Sequence, residues 1–261
     1  MPEPAHSLLG RGALITGVSR REGIGFAIAH RFASLGAHIV VQGFPQHDAD
    51  YLGTASSGVV DSVMDELRAV DPGAVFIEAD FAEAAAAAQV VEKAIAERGP
   101  LDILVANHAR SSSNSLDDVT ARELDLSFAV NTRGSLLLAQ AFAGHHDGSS
   151  GGRIVLMTSG QGGSAMPGEV AYAVSKGAIA QITRTLAAHL MPRGITVNTV
   201  NPGPTDTGWA DAATRAEVER LMPTGRWGSP SNAGRLIALL CSDEAAWVTG
   251  QIIDADGGFS L

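Results

Sequence analysis

The chain has 261 residues, 45% of them hydrophobic, and a formal net charge of -10. That is enough apolar material for a large core, and the excess of acid with scattered basic residues argues against a nucleic-acid partner. No apolar run approaches the ~20 residues of a membrane span, Met1 to Ser7 lack the basic start and apolar core of an export signal, and a single cysteine, Cys241, excludes an intrachain disulfide; a soluble, cytoplasmic protein is expected.

Strand-like runs fall near 12–16, 37–42, 74–79, 101–106, 153–158, 195–200 and 251–254. Helix-like runs lie between them near 24–35, 58–69, 83–97, 121–144, 171–190 and 231–241. The alternation predicts an α/β fold: a doubly wound parallel sheet of about seven strands flanked by helices, Rossmann-type, with residues 1–261 as a single domain. Ala84 to Ala88 is strong helix former. The stretches Ala55 to Gly58 and Ser111 to Ser115 read as surface loops. His145-His146-Asp147 sits in a glycine-marked turn, where adjacent histidines point to different sides, so no metal site is expected.

At the front of the chain, Gly12 to Thr16 reads as a buried strand, Gly17-Val18-Ser19-Arg20-Arg21-Glu22-Gly23-Ile24-Gly25 as a turn, and Phe26 to Leu35 as an apolar-periodic helix. Glycines at such a turn let the backbone approach a pyrophosphate, and the helix N-terminus offers it free N–H groups and a positive dipole end.

Further along, Tyr172 and Lys176 lie four residues apart on one helix and so project from one face. A free tyrosine has a pKa of about 10 and is a poor base. An ammonium at ~4 Å, in an effective dielectric near 20, favours the phenolate by about 4 kcal/mol. Ser159 closes the run Gly152 to Thr158, and a hydroxyl at the C-terminal end of a strand can donate to a substrate oxygen as charge builds on it.

With these residues assembled, the chain resembles the short-chain dehydrogenase/reductase family from about residue 10 to 258, in its compact single-domain, 3-oxoacyl-reductase-like branch. Further motifs carry the likeness: Asp80-Phe81, Ala106-Asn107-His108-Ala109, Phe128-Ala129-Val130-Asn131, and Asn201-Pro202-Gly203-Pro204-Thr205-Asp206-Thr207. The resemblance implies an oxidoreductase that transfers hydride between a nicotinamide cofactor and a ketone or secondary alcohol. In that reading Tyr172 is the acid/base, Lys176 holds the nicotinamide ribose, Ser159 holds the substrate oxygen, and Asn131 anchors a water linking Lys176 to solvent. Asp80 would bond the adenine amine, Asn107 would sit by the adenosine ribose, and Thr205 and Thr207 would meet the nicotinamide amide and the phosphates. Five residues separate Gly17 from Gly23 where the family usually has three, a length that resembles enoyl reductases, whereas the tight Tyr172–Lys176 spacing and Ser159 do not. The alternatives are an enoyl-reductase-like enzyme or a non-catalytic dinucleotide-sensing regulator on the same fold. His108 replaces a small residue of the family motif and is expected to be structural.

Cofactor choice should turn on the end of the second strand, where an acid would accept ribose hydroxyls and repel a 2'-phosphate. Here the strand ends Val41-Gln42-Gly43-Phe44, with no acid until Asp48, and Arg20 and Arg21 could meet that phosphate. NADP(H) is therefore favoured over NAD(H). The substrate wall is expected to comprise Gln161, Gly162, Gly163, Met166 and Glu169, with Trp209, Met222 and Trp227 on a lid at about 204–228. Leu136, Leu137, Ala141, Ile179, Ile182 and Leu186 give the helices near 121–144 and 171–190 broad apolar faces; the resemblance implies that these helices pair across one two-fold axis and that the C-terminal strand near Gln251 to Asp254 meets its mate across another, which makes a homotetramer.

Overall fold

The computed structural model describes residues 7–52, 58–148, 151–160 and 165–261. The expectations that fall on Met1 to His6, on Ala55 to Ser57 and on Gln161, Gly162 and Gly163 lie outside the described residues. The seven strands are β1 (Gly12–Thr16), β2 (His38–Gly43), β3 (Val75–Glu78), β4 (Ile103–Ala106), β5 (Arg153–Met157), β6 (Thr196–Asn201) and β7 (Ile252–Asp254). They form one sheet in the order β3-β2-β1-β4-β5-β6-β7, parallel throughout.

A parallel sheet covered on both faces needs strands that are apolar at consecutive positions. In β1, Ala13 and Ile15 enter one core while Leu14 enters the other, and in β5 Val155 and Met157 oppose Ile154 and Leu156. The first core is covered by α1 (Ile24–Ser34), α3 (Val59–Val70) and α9 (Pro230–Cys241). The second is covered by α4 (Ala86–Arg98), α6 (Ser135–His145) and α7 (Val170–Leu190). Among the described residues, no helix is long and apolar enough to cross a membrane.

Two helices were not anticipated. The short α2 (Pro45–Leu52) follows β2, and α8 (Ala212–Leu221) crosses the segment expected to be a lid. Both had local signals: Pro45 opens α2 with Asp48 in its first turn, and Asp211 caps α8 by accepting the Thr214 N–H at 2.8 Å. Neither shows the long apolar period that reveals a core helix, and α8 buries no residue.

The helical run expected over 121–144 is interrupted. Between α5 (Ala121–Ser127) and α6, residues Phe128–Gly134 wind as a π-helix. Of the six residues read as a free apolar face, Ile179 is buried, and Leu137, Ala141 and Leu186 pack against the second core. The large apolar side chains left exposed there are Leu124, Phe128 and Val174.

Candidate active site

Because all seven strands run one way, their C-terminal ends share one edge, and a cavity of about 380 Å³ opens there. Its wall brings together Gly17, Ser19, Arg20, Gly23 and Ile24 from the first loop, Asp80 and Phe81 after β3, Asn107 after β4, Tyr172 and Lys176 on α7, and Pro202, Thr207 and Trp209 beyond β6.

The first loop is shaped by close approach. Gly17 has φ +73°, and a Cβ there would fall 2.8 Å from His108 Cα; at Gly25 it would fall 2.3 Å from the Gly17 carbonyl oxygen. Asn107 braces this corner by donating its amide to the carbonyls of Thr16 (3.0 Å) and Gly17 (3.2 Å). Gly23 caps α1 without a side-chain hydrogen bond, so the first-turn N–H groups have no side-chain acceptor. A bare, uncapped helix end beside a glycine cradle suits a pyrophosphate, and the cavity's length from Asp80 to Tyr172 suits the rest of a dinucleotide.

Lys176 is buried and donates to the Met157 carbonyl at 2.9 Å, which fixes its ammonium 5.8 Å from the centroid of the Tyr172 ring. Burial lowers the Lys176 pKa to about 8. Thr158 ties the same helix to the end of β5, its hydroxyl donating to the Lys176 carbonyl at 3.0 Å. Ser159, half-buried, stands next to Thr158 but does not itself line the cavity.

Asn131 is buried behind the wall. Its side-chain nitrogen donates to the Arg110 carbonyl (3.0 Å) and the Ser175 hydroxyl (2.9 Å), its side-chain oxygen accepts the Arg110 N–H (2.7 Å), and its own carbonyl accepts the Ser135 hydroxyl (2.7 Å). The residue expected to anchor a water thus ties α7 to the loop after β4. A π segment makes this possible, since its extra residue turns Asn131 inward within an otherwise α-helical rod.

His108 is buried against Phe81, with 4.3 Å between ring centroids. Its Nε2 lies 3.1 Å from the Val130 carbonyl and its Nδ1 2.7 Å from the Thr16 hydroxyl. A carbonyl can only accept, so Nε2 carries the proton and Nδ1 accepts from Thr16. Burial, and then the charge of Lys176, lowers its pKa to about 3, and the imidazole is neutral.

Arg20 and Arg21, expected to act together, are separated. Arg20 lines the cavity, with Nε 3.4 Å from Asp48 and Nη1 donating to the Thr207 carbonyl at 3.0 Å. Arg21 points away to Glu66 on α3 at 3.1 Å, with 65% of its side chain exposed. Consecutive residues of a turn project to different sides, and only the first faces inward. The acid that seemed too distant in sequence, Asp48, returns to the cavity on α2, beside Phe44 and His47. Gln42 occupies the end of β2, accepting the Gly17 N–H at 3.2 Å and donating to the Ala79 carbonyl at 2.7 Å.

Other expected residues support the wall rather than form it. Gly203, at φ +61°, lets the chain pass Asp256, and the Thr205 hydroxyl donates within its own turn to the Pro202 and Gly203 carbonyls, each at 3.2 Å. Met166 and Glu169 are half-buried at the entry to α7 and lie off the cavity wall, and burial raises the Glu169 pKa. Trp209 is at the mouth, edge-on to Trp227, whereas Trp227 and Met222 are buried beneath. Wall residues not singled out from sequence include Phe44, His47, Asp48, Arg110 and Leu126. Arg110 directly follows the Ala106–Ala109 motif, which was the one local hint. Among the described residues, no group of three His, Cys, Asp or Glu could hold a metal. His146 instead stacks on Phe142 at 5.5 Å.

This arrangement of glycine cradle, buried lysine and adjacent phenol can be set beside known proteins. Residues 17–260 match the family model described as Enoyl-(Acyl carrier protein) reductase. The chain is 41% identical over 249 residues to the uncharacterized oxidoreductase YjdA of Bacillus subtilis, covering 95% of this chain and 96% of that protein. It is 36% identical over 269 residues to an NADPH-dependent aldehyde reductase-like protein of Arabidopsis thaliana, chloroplastic, covering 98% and 97%. A solved structure of a blue fluorescent protein from a metagenomic library, in complex with NADPH, superposes with a TM-score of 0.87 at 34% identity, covering 98% of this chain and all of that one. The chain belongs to the short-chain dehydrogenase/reductase family. It is an oxidoreductase that transfers hydride between a nicotinamide cofactor and a ketone or secondary alcohol.

Proposed function

We propose that this chain is an NADP(H)-dependent ketone reductase in which Tyr172 is the proton donor. The observation that carries this reading is the placing of Lys176 and Tyr172 on one wall, with the ammonium buried and fixed beside the phenol. When bound, the nicotinamide cofactor supplies the hydride. Tyr172 gives its phenolic proton to the carbonyl oxygen as that oxygen gains charge, and takes one back in the oxidative direction. Lys176 stabilises the phenolate left behind and offers N–H donors to a ribose. In this reading the Ser159 hydroxyl meets the substrate oxygen from beside the wall residue Thr158, although Ser159 is not itself part of the wall. Asn131 holds α7 and the loop after β4 in fixed relation.

The NADP(H) preference is supported by Gln42 at the end of β2, by Arg20 on the wall, and by the NADPH in the names of the Arabidopsis relative and the metagenomic structure. Asp48 offsets part of the Arg20 charge, so the preference is modest. Initial rates with NADPH and NADH on a small panel of ketones test it: NADPH should be used more efficiently, and a preference for NADH overturns it.

The remaining parts of the reading are a lid over 204–228, a homotetramer and a cytoplasmic location. Exposed Leu124, Phe128 and Val174 on one side, and Trp247 and Ile252 near β7 on another, support two self-association surfaces. Light scattering at micromolar concentration decides this: a stable single-chain mass defeats it, and a dimer leaves one of the two contacts refuted.

A further inference from the structure

We propose that Arg110 and Glu123 form the distal recognition element of the substrate pocket, selecting ketones that carry a second, uncharged oxygen acceptor. This rests on the ketone-reductase reading above. Arg110 lines the cavity with Ser111, Leu126, Tyr172 and Trp209. Its backbone is tied at both ends to buried Asn131, which also holds the hydroxyl of Ser175, the residue before Lys176. Arg110 therefore keeps a fixed position relative to the catalytic pair.

The side chain is locked as firmly. Nε and Nη2 donate to the two Glu123 oxygens at 3.1 and 2.9 Å, a bidentate pair that fixes the plane of the guanidinium. Glu123 is itself held at the start of α5, its N–H donating to the Thr120 hydroxyl at 3.1 Å. Nη1 has no protein partner among the described residues. Its N–H groups remain for a ligand.

The chemistry of that ligand follows from the compensated charge. With Glu123 behind it, the guanidinium presents the positive end of a dipole rather than a bare cation. An ester, ketone or ether oxygen can accept from it without desolvating an ion. A carboxylate there would also feel the Glu123 charge, and the pair discriminates against it. Leu126 and Trp209 give the same region apolar contact, which suits a flat ring between the two oxygens. The substrate class is an aryl ketone bearing a second neutral oxygen.

The test compares kcat/KM for acetophenone, for methyl 3- and 4-acetylbenzoate, and for the two free acids, using purified enzyme and the cofactor it prefers. For at least one isomer, the wild type should favour the ester over its acid by about tenfold. Glu123→Gln should reverse that ratio in favour of the acid, because it uncovers the Arg110 charge. Arg110→Gln should lower the ratio of ester to acetophenone by about tenfold. Cofactor binding, followed by fluorescence, establishes that each variant is folded, and Arg110→Lys replaces Arg110→Gln if the latter is not. Parallel changes for all the ketones in both variants overturn the proposal and leave the ketone-reductase reading standing. No turnover of any ketone by the wild type sinks both.

Discussion

Where α7 crosses the end of β5, the polar groups are tied into the protein: Lys176 to the Met157 carbonyl, Thr158 to the Lys176 carbonyl, and Asn131 to Arg110 and Ser175. At the rim, α8 buries no residue and is held by contacts at its edges, the Asp206–Arg215 ion pair and the Trp227 indole donating to the Arg215 carbonyl. The first region is fixed by buried hydrogen bonds; the second is held by half-exposed contacts. The two ends of the cavity are thus built with different densities of internal bonds.

The largest break in this comparison should come from Tyr172→Phe. It removes one oxygen from the rigid region and leaves the cofactor wall intact, so turnover should fall at least about a hundredfold while cofactor fluorescence titration is unchanged. Residual activity above that level would show that the proton comes from elsewhere.

A smaller effect tests how firmly the floor is built. His108 has a folded pKa of about 3, below its ordinary 6.5, so the unfolded chain binds the extra proton between these values. Stability therefore rises with pH through that window and is lost as the solution is acidified below 6.5. From pH 7 to 5 this one group should cost about 2 kcal/mol, a fall in Tm of roughly 4–8 °C. His108→Gln should flatten that part of the melting curve's pH dependence. An unchanged acid slope would mean that the imidazole is not kept neutral by the fold.

At the cofactor rim, Arg20→Ala should raise the NADPH dissociation constant about tenfold relative to that of NADH. Arg21→Ala, which removes only an exposed contact to Glu66, should change the ratio less than about twofold. Isothermal titration of both variants separates them, and equal effects would erase the assignment of Arg20 to the phosphate. Smallest of all, Arg215→Ala breaks a half-exposed ion pair at the rim and should move Tm by less than about 2 °C. A larger drop would place α8 among the rigid parts.

How much was legible beforehand follows the same division. The strands were readable because burial on both faces makes them continuous apolar runs, and Tyr172, Lys176 and the glycine loop were readable because their spacing is local. What sequence could not provide was direction. Arg20 and Arg21 are chemically alike and adjacent, yet only one faces the cavity. Asp48 is distant from β2 along the chain, but α2 folds it back. Arg110 and Glu123 are thirteen residues apart and meet only because the loop after β4 closes onto α5.

The π-helical segment at Phe128–Gly134 has a consequence for how this chain can change in length. Bonding from i to i+5 accommodates one more residue than a regular helix of the same rise, so the segment behaves as a fixed insertion. Deleting one of these seven residues would restore an unbroken α-helix with the flanking turns nearly in phase, so the change would fall on the residues inside the segment. Leu138 and Phe142 would keep their places against the sheet, and the disturbance would fall where Asn131 meets Arg110 and Ser175. Loss of a single codon there is thus a local event, one that would loosen the tie between α7 and the loop after β4 while leaving α6 packed on the sheet.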